Sequence, residues 1–459
     1  MKKLNIVLVI SLLVISLSRC HKADTAPESN YDDRLSGGNA TTFDETSHAL
    51  TIALEGMSAR DERVHELGDQ TFEAKFVAPP STVFGGLGPI FNNVSCINCH
   101  RNDGGGFPST GSATSGLLMR ISQTGTEVHG GPLAVPGFGT QLQDQAIFGS
   151  KPEVNVNISY TENRFTYPDG RITSLRKPAY TLFNPYTGLP GTYMLSPRLA
   201  PPLIGIGLLD NIPESTILGF VDAGDQNGDG ITGKANMVFD PTSGHTKVGR
   251  FGLKANTNSL LTQVATAYQQ DMGVTSYVLP DESTLGQSQW PSATNTGKVE
   301  LADSLMNFVT FYVRTLAVPA RREVNDADNQ AGSIIFNQIN CSGCHRPTMM
   351  TGADFNLPQL SGQRIHPYTD LLLHDMGDGL ADNRPDFLAT GNEWKTQALW
   401  GLGLLQKTTG TVFYLHDGRA RTIEEAILWH GGEAEKAKQS FVQLTIKERN
   451  QLIKFLNSL

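Results

Sequence analysis

The alternation of apolar and polar positions is most regular near the C-terminus, in residues 421–432, "RTIEEAILWHGG". Thr422 followed three residues later by Glu425 matches a capping box, and the glycine pair that closes the segment is a usual helix stop. Apolar residues from Ile423 onward recur at the spacing of one helical face, and His430 falls on that same face. The pattern predicts an amphipathic helix with a histidine on its apolar side. On this segment alone, the simplest role for His430 is a cation at the helix C-terminus.

Helical periodicity recurs elsewhere along the chain. It predicts helices over residues 47–67, 258–271, 297–315 and 327–338. A terminal helix begins at a second capping box, formed by Thr445 and Glu448.

Residues 154–182 instead alternate β-forming residues around "PDG", which predicts a hairpin or a small sheet. The chain also contains 47 glycines and 24 prolines, so long loops are expected. The segment "AVPARRE" (317–323) interrupts the helical pattern and is the predicted domain boundary.

Composition bounds the class of protein. Hydrophobic residues make up 39% of the 459 residues and charged residues 18%, which is typical of a globular protein. The formal net charge is −9 and no run of lysine and arginine occurs, which excludes nucleic acid as a partner.

The N-terminus has the pattern of an export signal over residues 1–20. Lys2-Lys3 precede an apolar stretch that is too short to span a bilayer, and the stretch ends at Cys20. A cysteine at this point resembles a bacterial lipoprotein acceptor, which would carry lipid on Cys20. The alternative is plain cleavage that releases a soluble periplasmic protein. Residues 21–45 are polar and predict a flexible tether, so any membrane contact is expected only through an N-terminal lipid.

The other four cysteines lie in two copies of one motif, "FNNVSCINCHR" (91–101) and "FNQINCSGCHR" (336–346). Cys-x-x-Cys-His is the attachment signature of c-type haem. Cysteines three residues apart lie on one side of a helical turn, where both can form thioethers to the haem vinyl groups. The histidine that follows is then the proximal iron ligand.

The motifs predict two covalently attached haems. The residues are Cys96, Cys99 and His100 for the first haem, and Cys341, Cys344 and His345 for the second. Redox dithiols, structural disulfides and one zinc site built from all four cysteines are the alternatives. None of them explains why a histidine follows each pair.

These motifs and the helical pattern together predict a mainly α fold with two cytochrome c-like domains. The first domain is expected over residues 46–319, with long loop insertions and the small β-hairpin or sheet. The second is expected over residues 320–459.

The segment "DQNGDG" (225–230) offers Asp225, Asn227 and Asp229 at alternate positions of a calcium loop. The twelfth position is Asn236 rather than a bidentate glutamate. The alternative is a metal-free turn rich in aspartate, asparagine and glycine, and both interpretations stay open.

With both motifs placed, most of residues 43–459 resembles the bacterial di-haem oxidoreductases often labelled thiol oxidoreductases. These are relatives of the di-haem cytochrome c peroxidases and of the enzyme that matures methylamine dehydrogenase. The resemblance rests on several segments, among them "SPRLAPPLIGIGLLDNIPE", "PYTDLLLHDMGDGLAD", "EWKTQALWGLG" and "YLHDGRARTIEEAILWHGGEA". In those relatives, the distal ligand of the C-terminal haem lies on the helix after an "HDG" element, at the position of His430. The resemblance therefore implies that His345 and His430 both bind the C-terminal iron.

The same resemblance makes the haem on His100 the candidate reactive site, and it places Gln263 and Asp271 where the peroxidases have catalytic side chains. The alternatives are ordinary roles for a helix glutamine and a helix C-terminal aspartate. Leu253 falls where relatives carry a tryptophan between the haems.

The sixth ligand of the N-terminal haem stays open in the sequence. The candidates are His129, Lys254, Met272 or no protein ligand. His374 and His416 are expected to be hydrogen-bonding residues of a pocket. Arg419 and Arg421 either pair with haem propionates or are solvated charges.

The sequence thus predicts an exported di-haem c-type oxidoreductase that relays electrons from the C-terminal haem to a reactive N-terminal haem. The expected partners are a small redox protein and a small oxidant such as hydrogen peroxide. The alternatives are an electron-transfer cytochrome without catalysis and a haem oxidase that modifies proteins.

Overall fold

The computed structural model describes residues 32–81, 83–290 and 299–459. The predicted signal peptide, Cys20 and the first part of the predicted tether lie outside these residues. Residues from Arg34 to Leu459 form one compact unit. Secondary structure begins within the range predicted as a tether, because Thr41–Thr42 pair in parallel with Val318–Pro319.

The helices of the described ranges are mostly short. They are α1 (Ala59–Glu73), α2 (Cys96–Cys99), α3 (Ile206–Asp210), α4 (Glu214–Leu218), α5 (Leu260–Met272), α6 (Asp303–Arg314), α7 (Ala327–Gln338), α8 (Leu405–Thr409), α9 (Ile423–Trp429), α10 (Glu435–Gln443) and α11 (Ile446–Ser458). None of these helices has both the length and the apolar character that a bilayer crossing requires.

The strands form several small sheets. They are β1 (Thr41–Thr42), β2 (Ile90–Phe91), β3 (Leu117–Ser122), β4 (Gln141–Leu142), β5 (Gln145–Ala146), β6 (Asn155–Thr166), β7 (Ile172–Phe183), β8 (Met194–Leu199), β9 (Met237–Asp240), β10 (His245–Val248), β11 (Val318–Pro319), β12 (Met349–Met350), β13 (Arg364–Ile365), β14 (Leu373–Asp375) and β15 (Glu393–Lys395). Sheet β4-β3-β8 has three strands, and the other pairings are two-stranded.

The prediction of a mainly α fold with two cytochrome c-like domains is wrong. The residues that the structure describes are 28% helical and 19% strand, and they show no clear mainly α cytochrome c fold. Between β3 and β10, frequent glycine and proline residues prevent long helices, and the extended segments pair locally instead. The division at residues 319 and 320 stays a prediction.

The predicted hairpin is confirmed. Strands β6 and β7 pair antiparallel from Asn155 opposite Phe183 to Thr166 opposite Ile172. The turn between them contains Gly170 with φ +86°, a conformation that glycine adopts without strain.

The helix predictions for α5, α7, α9 and α11 are confirmed within two residues, whereas α1 begins at Ala59 rather than at residue 47. Ser58 caps α1 by accepting a hydrogen bond from the Asp61 N–H. The apolar residues before it pack without forming a helix, because the Leu54 N–H donates to the Thr315 carbonyl at the end of α6. Leu54 is buried there.

The helix that precedes each CxxCH motif packs against a helix that comes later in the chain. Helix α1 crosses α6, and α7 crosses α11. Each crossing brings backbones together at a glycine, since a β-carbon at Gly68 would overlap the Phe308 carbonyl and one at Gly332 would overlap the Gln451 carbonyl. Close approach at glycine thus sets the distance between the two helices of each pair.

We predict that Gly332→Ala destabilises the protein by about 2–3 kcal/mol, because the added methyl group overpacks the α7–α11 crossing. The substitution would otherwise favour a helix by about 1 kcal/mol. Urea unfolding of the haem-loaded protein measures the change. Gly188→Ala is the control, because that exposed glycine has open space around it and should change stability by less than about 0.5 kcal/mol. A Gly332→Ala protein as stable as the parent would contradict this crossing.

Candidate haem site

Both CxxCH motifs line one continuous cavity of about 570 Å³. All seven predicted haem-binding residues contribute to its wall: Cys96, Cys99, His100, Cys341, Cys344, His345 and His430. The structure therefore brings together residues that are more than 300 positions apart in the sequence. Its wall is largely apolar, as a porphyrin face requires.

Each motif is folded as a single tight turn. The His100 N–H donates to the Cys96 carbonyl at 3.0 Å, and the His345 N–H donates to the Cys341 carbonyl at 2.9 Å. The four thiols are free, so the disulfide alternative is not realised. Burial raises the pKa of Cys96 and of Cys341 to about 12. Such thiols do not fit the redox dithiol alternative, which needs a lowered pKa.

The zinc alternative is also not realised. Within residues 32–81, 83–290 and 299–459, no three histidine, cysteine, aspartate or glutamate side chains are close enough together to hold a metal ion. The cysteines of the two motifs therefore do not converge on one point.

Three histidines of the cavity share one hydrogen-bonding arrangement, in which ring Nδ1 contacts a main-chain carbonyl oxygen. The pairs and distances are His100 with Pro201 (2.8 Å), His345 with Tyr368 (2.9 Å) and His430 with Ala426 (2.7 Å). A carbonyl can only accept, so Nδ1 carries the hydrogen in each ring. The lone pair of a neutral ring is then on Nε2, the atom left to bind iron.

Burial keeps these rings neutral. It lowers the pKa of His100 and of His345 to about 4, and it lowers the pKa of His430 below the ordinary value. His430 is also close enough to His345 to lower the pKa of His345 further. At neutral pH all three imidazoles are therefore in the form that binds iron.

His430 lies at the end of α9. Thr422 caps the helix by accepting from the Glu425 N–H at 3.1 Å, as predicted. The reciprocal half of the capping box is absent, because the Glu425 carboxylate accepts instead from the Arg421 N–H at 2.9 Å. Ile427 and His430 both line the cavity, so the apolar stripe of α9 is part of its wall.

A phenylalanine packs beside each proximal histidine, and sequence reasoning missed this repeat. Phe72 lies 6.3 Å from His100 between ring centroids, and Phe336 lies 6.5 Å from His345. Phe91 and Phe336 are the first residues of the two similar segments, 91–101 and 336–346. Phe91 is nevertheless not the counterpart of Phe336 in the structure, because it lies in strand β2. The detectable signal is a glycine four residues before each phenylalanine, in "GDQTF" and "GSIIF".

Helix α5 presents one face to the cavity, and both predicted catalytic residues lie on it. Gln263 and Asp271 are eight residues apart, or roughly 12 Å along the axis. Gln263 Oε1 accepts from the Thr257 hydroxyl at 2.8 Å, and Asp271 Oδ1 accepts from Gln141 Nε2 at 2.6 Å.

Asp271 sits beside the first motif. Burial raises the pKa of its carboxyl, although Arg120 and Gln141 act in the opposite direction. Its charge in turn helps to raise the pKa of the Cys96 and Cys99 thiols. A carboxyl with a raised pKa next to a haem-attachment motif takes up and releases a proton at a higher pH than an ordinary aspartate does.

The three candidates for a sixth ligand at the N-terminal haem have different surroundings. His129 stacks on Phe239 with ring centroids 3.8 Å apart. The Lys254 ammonium donates to Asp382 Oδ1 at 2.7 Å, in a fully buried ion pair. Met272 is buried and lines the cavity.

An aromatic pair lies next to Leu253. The Leu253 carbonyl accepts from the Lys395 N–H at 3.0 Å, so Trp394 is adjacent to this position. Trp394 stacks on His416 with ring centroids 3.8 Å apart and an interplanar angle of 9°. All three side chains line the cavity. The cavity wall beside Leu253 therefore contains a tryptophan, Trp394.

Buried cations in the cavity wall were also missed. Arg120 and Lys395 line the cavity, and neither forms an ion pair within the part of the chain that the structure describes. Burial lowers the pKa of Arg120 to about 10 and that of Lys395 to about 8. Buried cations are costly unless an anion compensates them, and haem propionates are such anions.

The two arginines that the sequence predicted as possible propionate partners already form ion pairs with carboxylates of the protein. Arg419 donates to Asp417 at 2.8 Å, and Arg421 pairs with Glu162 and Glu425, each at 2.9 Å.

Hydrogen bonds between its own side chains and backbone N–H groups hold the predicted calcium loop in place. Side-chain oxygens of Asp225, Asn227 and Asp229 accept from the N–H groups of Gly230, Asp229 and Ile231, at 3.1, 2.9 and 2.8 Å. The contacts of Asn227 and Asp229, each to the N–H two residues further on, are Asx turns of the kind expected for a metal-free loop, whereas Asp225 reaches five residues ahead. Calcium binding stays a prediction.

The residues present fit two covalently bound haems. Free thiols, three neutral imidazoles and an apolar wall supply the attachment points, ligands and faces, and Arg120 and Lys395 supply charges for the propionates. The Tyr268 hydroxyl is a further sign, because it is buried in the cavity wall without a hydrogen-bond partner among the described residues.

Comparison with known proteins agrees with this fit. The family model described as "di-haem oxidoreductase, putative peroxidase" matches residues 31–459. No curated protein matches. Among solved structures, Kuenenia stuttgartiensis hydrazine synthase pressurized with xenon is 17% identical, over 37% of this chain and 60% of that chain, with a TM-score of 0.23. This chain thus spans less than two thirds of that relative, and so low a TM-score carries no argument. The match over residues 31–459 shows that the chain belongs to the di-haem oxidoreductase family.

Proposed function

We propose that the protein is an exported di-haem c-type oxidoreductase with peroxidase-type activity, in which electrons pass from the C-terminal haem to a reactive N-terminal haem. The observation that carries this proposal is an asymmetry in the cavity. His345 has a second neutral histidine, His430, close enough to influence its pKa, whereas Asp271 lies beside the first motif and Gln263 lines the cavity from the same helix.

The two sites then have different tasks. When bound, the haems supply the electron transfer and oxidant chemistry that the protein itself lacks. His345 and His430 would both bind one iron, and a second histidine ligand favours electron transfer over binding of a small molecule. His100 would bind the other iron. The cysteines attach each haem, so that it keeps its orientation when the iron changes redox state.

Asp271 handles protons at the reactive site. Peroxide reduction requires a proton on the leaving oxygen, and a buried carboxyl with a raised pKa can exchange it. The Gln141 amide donates to Asp271 Oδ1 and so fixes the carboxyl orientation. Gln263 would bind the oxidant through its side-chain amide.

Trp394 and His416 offer a path for electrons through the cavity wall. Their stacked rings give electronic contact beside Leu253, where relatives are expected to carry a tryptophan. Lys254 lies 4.5 Å from the Trp394 ring centroid and Arg198 lies 5.2 Å from it. These cations disfavour oxidation of the indole. The Trp394 ring is therefore better suited to passing an electron than to remaining as an oxidised radical.

The physiological setting is proposed from the sequence. Residues 1–20 would direct the chain to the periplasm, with lipid on Cys20 as the means of membrane attachment. A small redox protein would exchange electrons with the C-terminal haem, and hydrogen peroxide is the proposed oxidant. Calcium at Asp225, Asn227 and Asp229 belongs to the same proposal.

A second candidate function is electron transfer without catalysis. Met272 favours it, because this buried thioether lines the cavity at the end of α5 and would close the sixth position of the N-terminal iron. Turnover of hydrogen peroxide with a reduced donor protein separates the two functions.

We predict that the mature protein carries the mass of two covalently bound haems. Replacing both Cys96 and Cys99 by alanine should remove one haem, and the matching pair of changes at Cys341 and Cys344 should remove the other. Intact-protein mass spectrometry and the pyridine haemochrome spectrum measure the stoichiometry. A purified wild-type protein without covalent haem would overturn the proposal.

We predict that His430→Ala converts the C-terminal haem from a low-spin bis-histidine centre to a centre with an open position. The loss of the second imidazole removes the strong axial field that keeps the iron low-spin. EPR of the oxidised protein measures the change. His129→Ala is the control and should leave the spectrum intact, because His129 stacks on Phe239 rather than lining the cavity.

We predict that Asp271→Asn lowers kcat/KM for hydrogen peroxide by about 100-fold or more, since a general acid–base group typically contributes that much. Asp144→Asn is the matched control: this buried carboxyl also has a raised pKa, but it does not line the cavity. Because burial raises the pKa of Asp271, the wild-type rate should, as the pH is lowered, begin to fall at a higher pH than it would with an ordinary aspartate at this position. Equal rates for parent and Asp271→Asn would remove this residue from the mechanism.

A further inference from the structure

A histidine between two carboxylates lies beside the C-terminal attachment motif. His374 is only 2% exposed, and its two ring nitrogens contact different acids. Nε2 lies 2.8 Å from Asp370 Oδ2, and Nδ1 lies 2.8 Å from Glu433 Oε2. A carboxylate accepts hydrogen bonds, so both ring nitrogens donate and the ring is an imidazolium.

The electrostatics agree with this geometry. Hydrogen bonds to the Asp370 and Glu433 carboxylates, together with the Cys344 side chain, raise the pKa of His374 to about 12 although burial opposes the charged form. Hydrogen bonds from His374 and Thr232 lower the pKa of Glu433 to about 2 although burial opposes its charged form. His374 and Glu433 are therefore both charged in the physiological pH range, and the hydrogen bond between them is of the strong, charge-assisted kind.

Glu433 follows His430 by three residues, and its carboxylate gathers donors from two other parts of the chain. Besides His374, it accepts from the Thr232 N–H at 3.0 Å, the Thr232 hydroxyl at 2.6 Å and the Asp375 N–H at 3.2 Å. Thr232 and His374 are anchored together, since Lys234 and Leu373 exchange backbone hydrogen bonds of 2.9 and 2.8 Å. The carboxylate thus ties the segment after His430 to a paired backbone.

Backbone packing holds the same segment from a second direction. A β-carbon on Gly432, where φ is +54°, would overlap the Asp375 carbonyl oxygen. A β-carbon on Gly377 would lie 2.8 Å from the Gly432 nitrogen. Only glycine allows the chain after His430 to lie this close to the end of β14.

His430 needs such support because its own helix holds it only from the N-terminal side. Helix α9 ends at Trp429, and His430 is the C-cap residue with φ −58° and ψ 138°. Its ring is oriented by one hydrogen bond to the Ala426 carbonyl at 2.7 Å. The backbone on its C-terminal side is free to move unless something outside α9 fixes it.

We propose that the Asp370–His374–Glu433 row is a clamp that positions His430, and that His374 is the residue through which the clamp acts on the C-terminal haem. The proposal rests on the proposed ligation of that haem by His430. His374 and Glu433 line the haem cavity but are positioning residues, since His430 is the group that binds the iron.

The test uses the haem-loaded protein with His374→Leu, Glu433→Ala and Glu433→Gln. The readouts are the low-spin bis-histidine EPR signal and the rate of cyanide binding to the oxidised C-terminal haem, which requires His430 to leave the iron. In the first two variants we expect a weaker EPR signal and cyanide binding faster by at least about tenfold, as the loss of a charge-assisted hydrogen bond predicts. Glu433→Gln keeps one carbonyl acceptor and should be intermediate.

His65→Leu is the matched control. His65 is also a buried histidine with a hydrogen bond, 2.7 Å to Thr315, but it does not line the cavity. It should lower stability without changing the C-terminal haem signal or its cyanide rate. A purely structural role for His374 would make the two histidine variants alike.

The outcomes separate the clamp from its premise. If His430→Ala keeps the bis-histidine signal, both the proposed ligation and the clamp are wrong. If His430→Ala removes it while the His374 and Glu433 variants match the parent, the ligation stands and the clamp is overturned. If circular dichroism shows that His374→Leu is unfolded, the variants Glu433→Gln and Thr232→Val test the clamp instead. A cyanide-binding rate equal to that of the parent in both variants overturns the clamp.

Discussion

The hydrogen bond from a histidine Nδ1 to a main-chain carbonyl is the interaction on which the rest of the site depends. It occurs at His100, His345 and His430, and each time it assigns the hydrogen to Nδ1 and leaves Nε2 to face the metal. The acceptors lie in three unrelated segments. The Pro201 and Tyr368 carbonyls must therefore be held at fixed positions. Both lie in loops that follow short paired strands, β8 and β13.

The two Cys-x-x-Cys-His turns could be predicted because their residues are local in sequence. Two cysteines and a histidine within five positions fold as one turn whatever surrounds them, and both turns form as expected. His430 was accessible for a related reason, since it lies on the apolar stripe of one helix. The positions of Arg120 and Lys395 could not be predicted, because nothing in their own segments shows that the chain places them in the cavity wall without a close ion pair among the described residues. That property arises only when distant loops close around the cavity.

The error in fold class has the same origin. The helices before and after each motif were predicted well, and a repeated motif suggested a repeated mainly α domain. The segments between these helices contain too many glycine, proline and β-branched residues to form helices. They form hairpins and two-stranded sheets instead. Short motifs specify chemistry, whereas architecture depends on how several hundred intervening residues satisfy their backbone hydrogen bonds.

The clamp on His430 shows how charge is distributed around the two haem positions. The row at the C-terminal motif brings two carboxylates and one imidazolium, while Arg120 places an arginine next to Asp271 at the N-terminal motif. A net negative surrounding stabilises oxidised iron, and a more positive one stabilises reduced iron. In the proposed function, this arrangement would lower the reduction potential of the C-terminal haem relative to the N-terminal haem. Electrons would then have a downhill path from the side of His345 and His430 toward the side of Asp271, as the proposed relay requires.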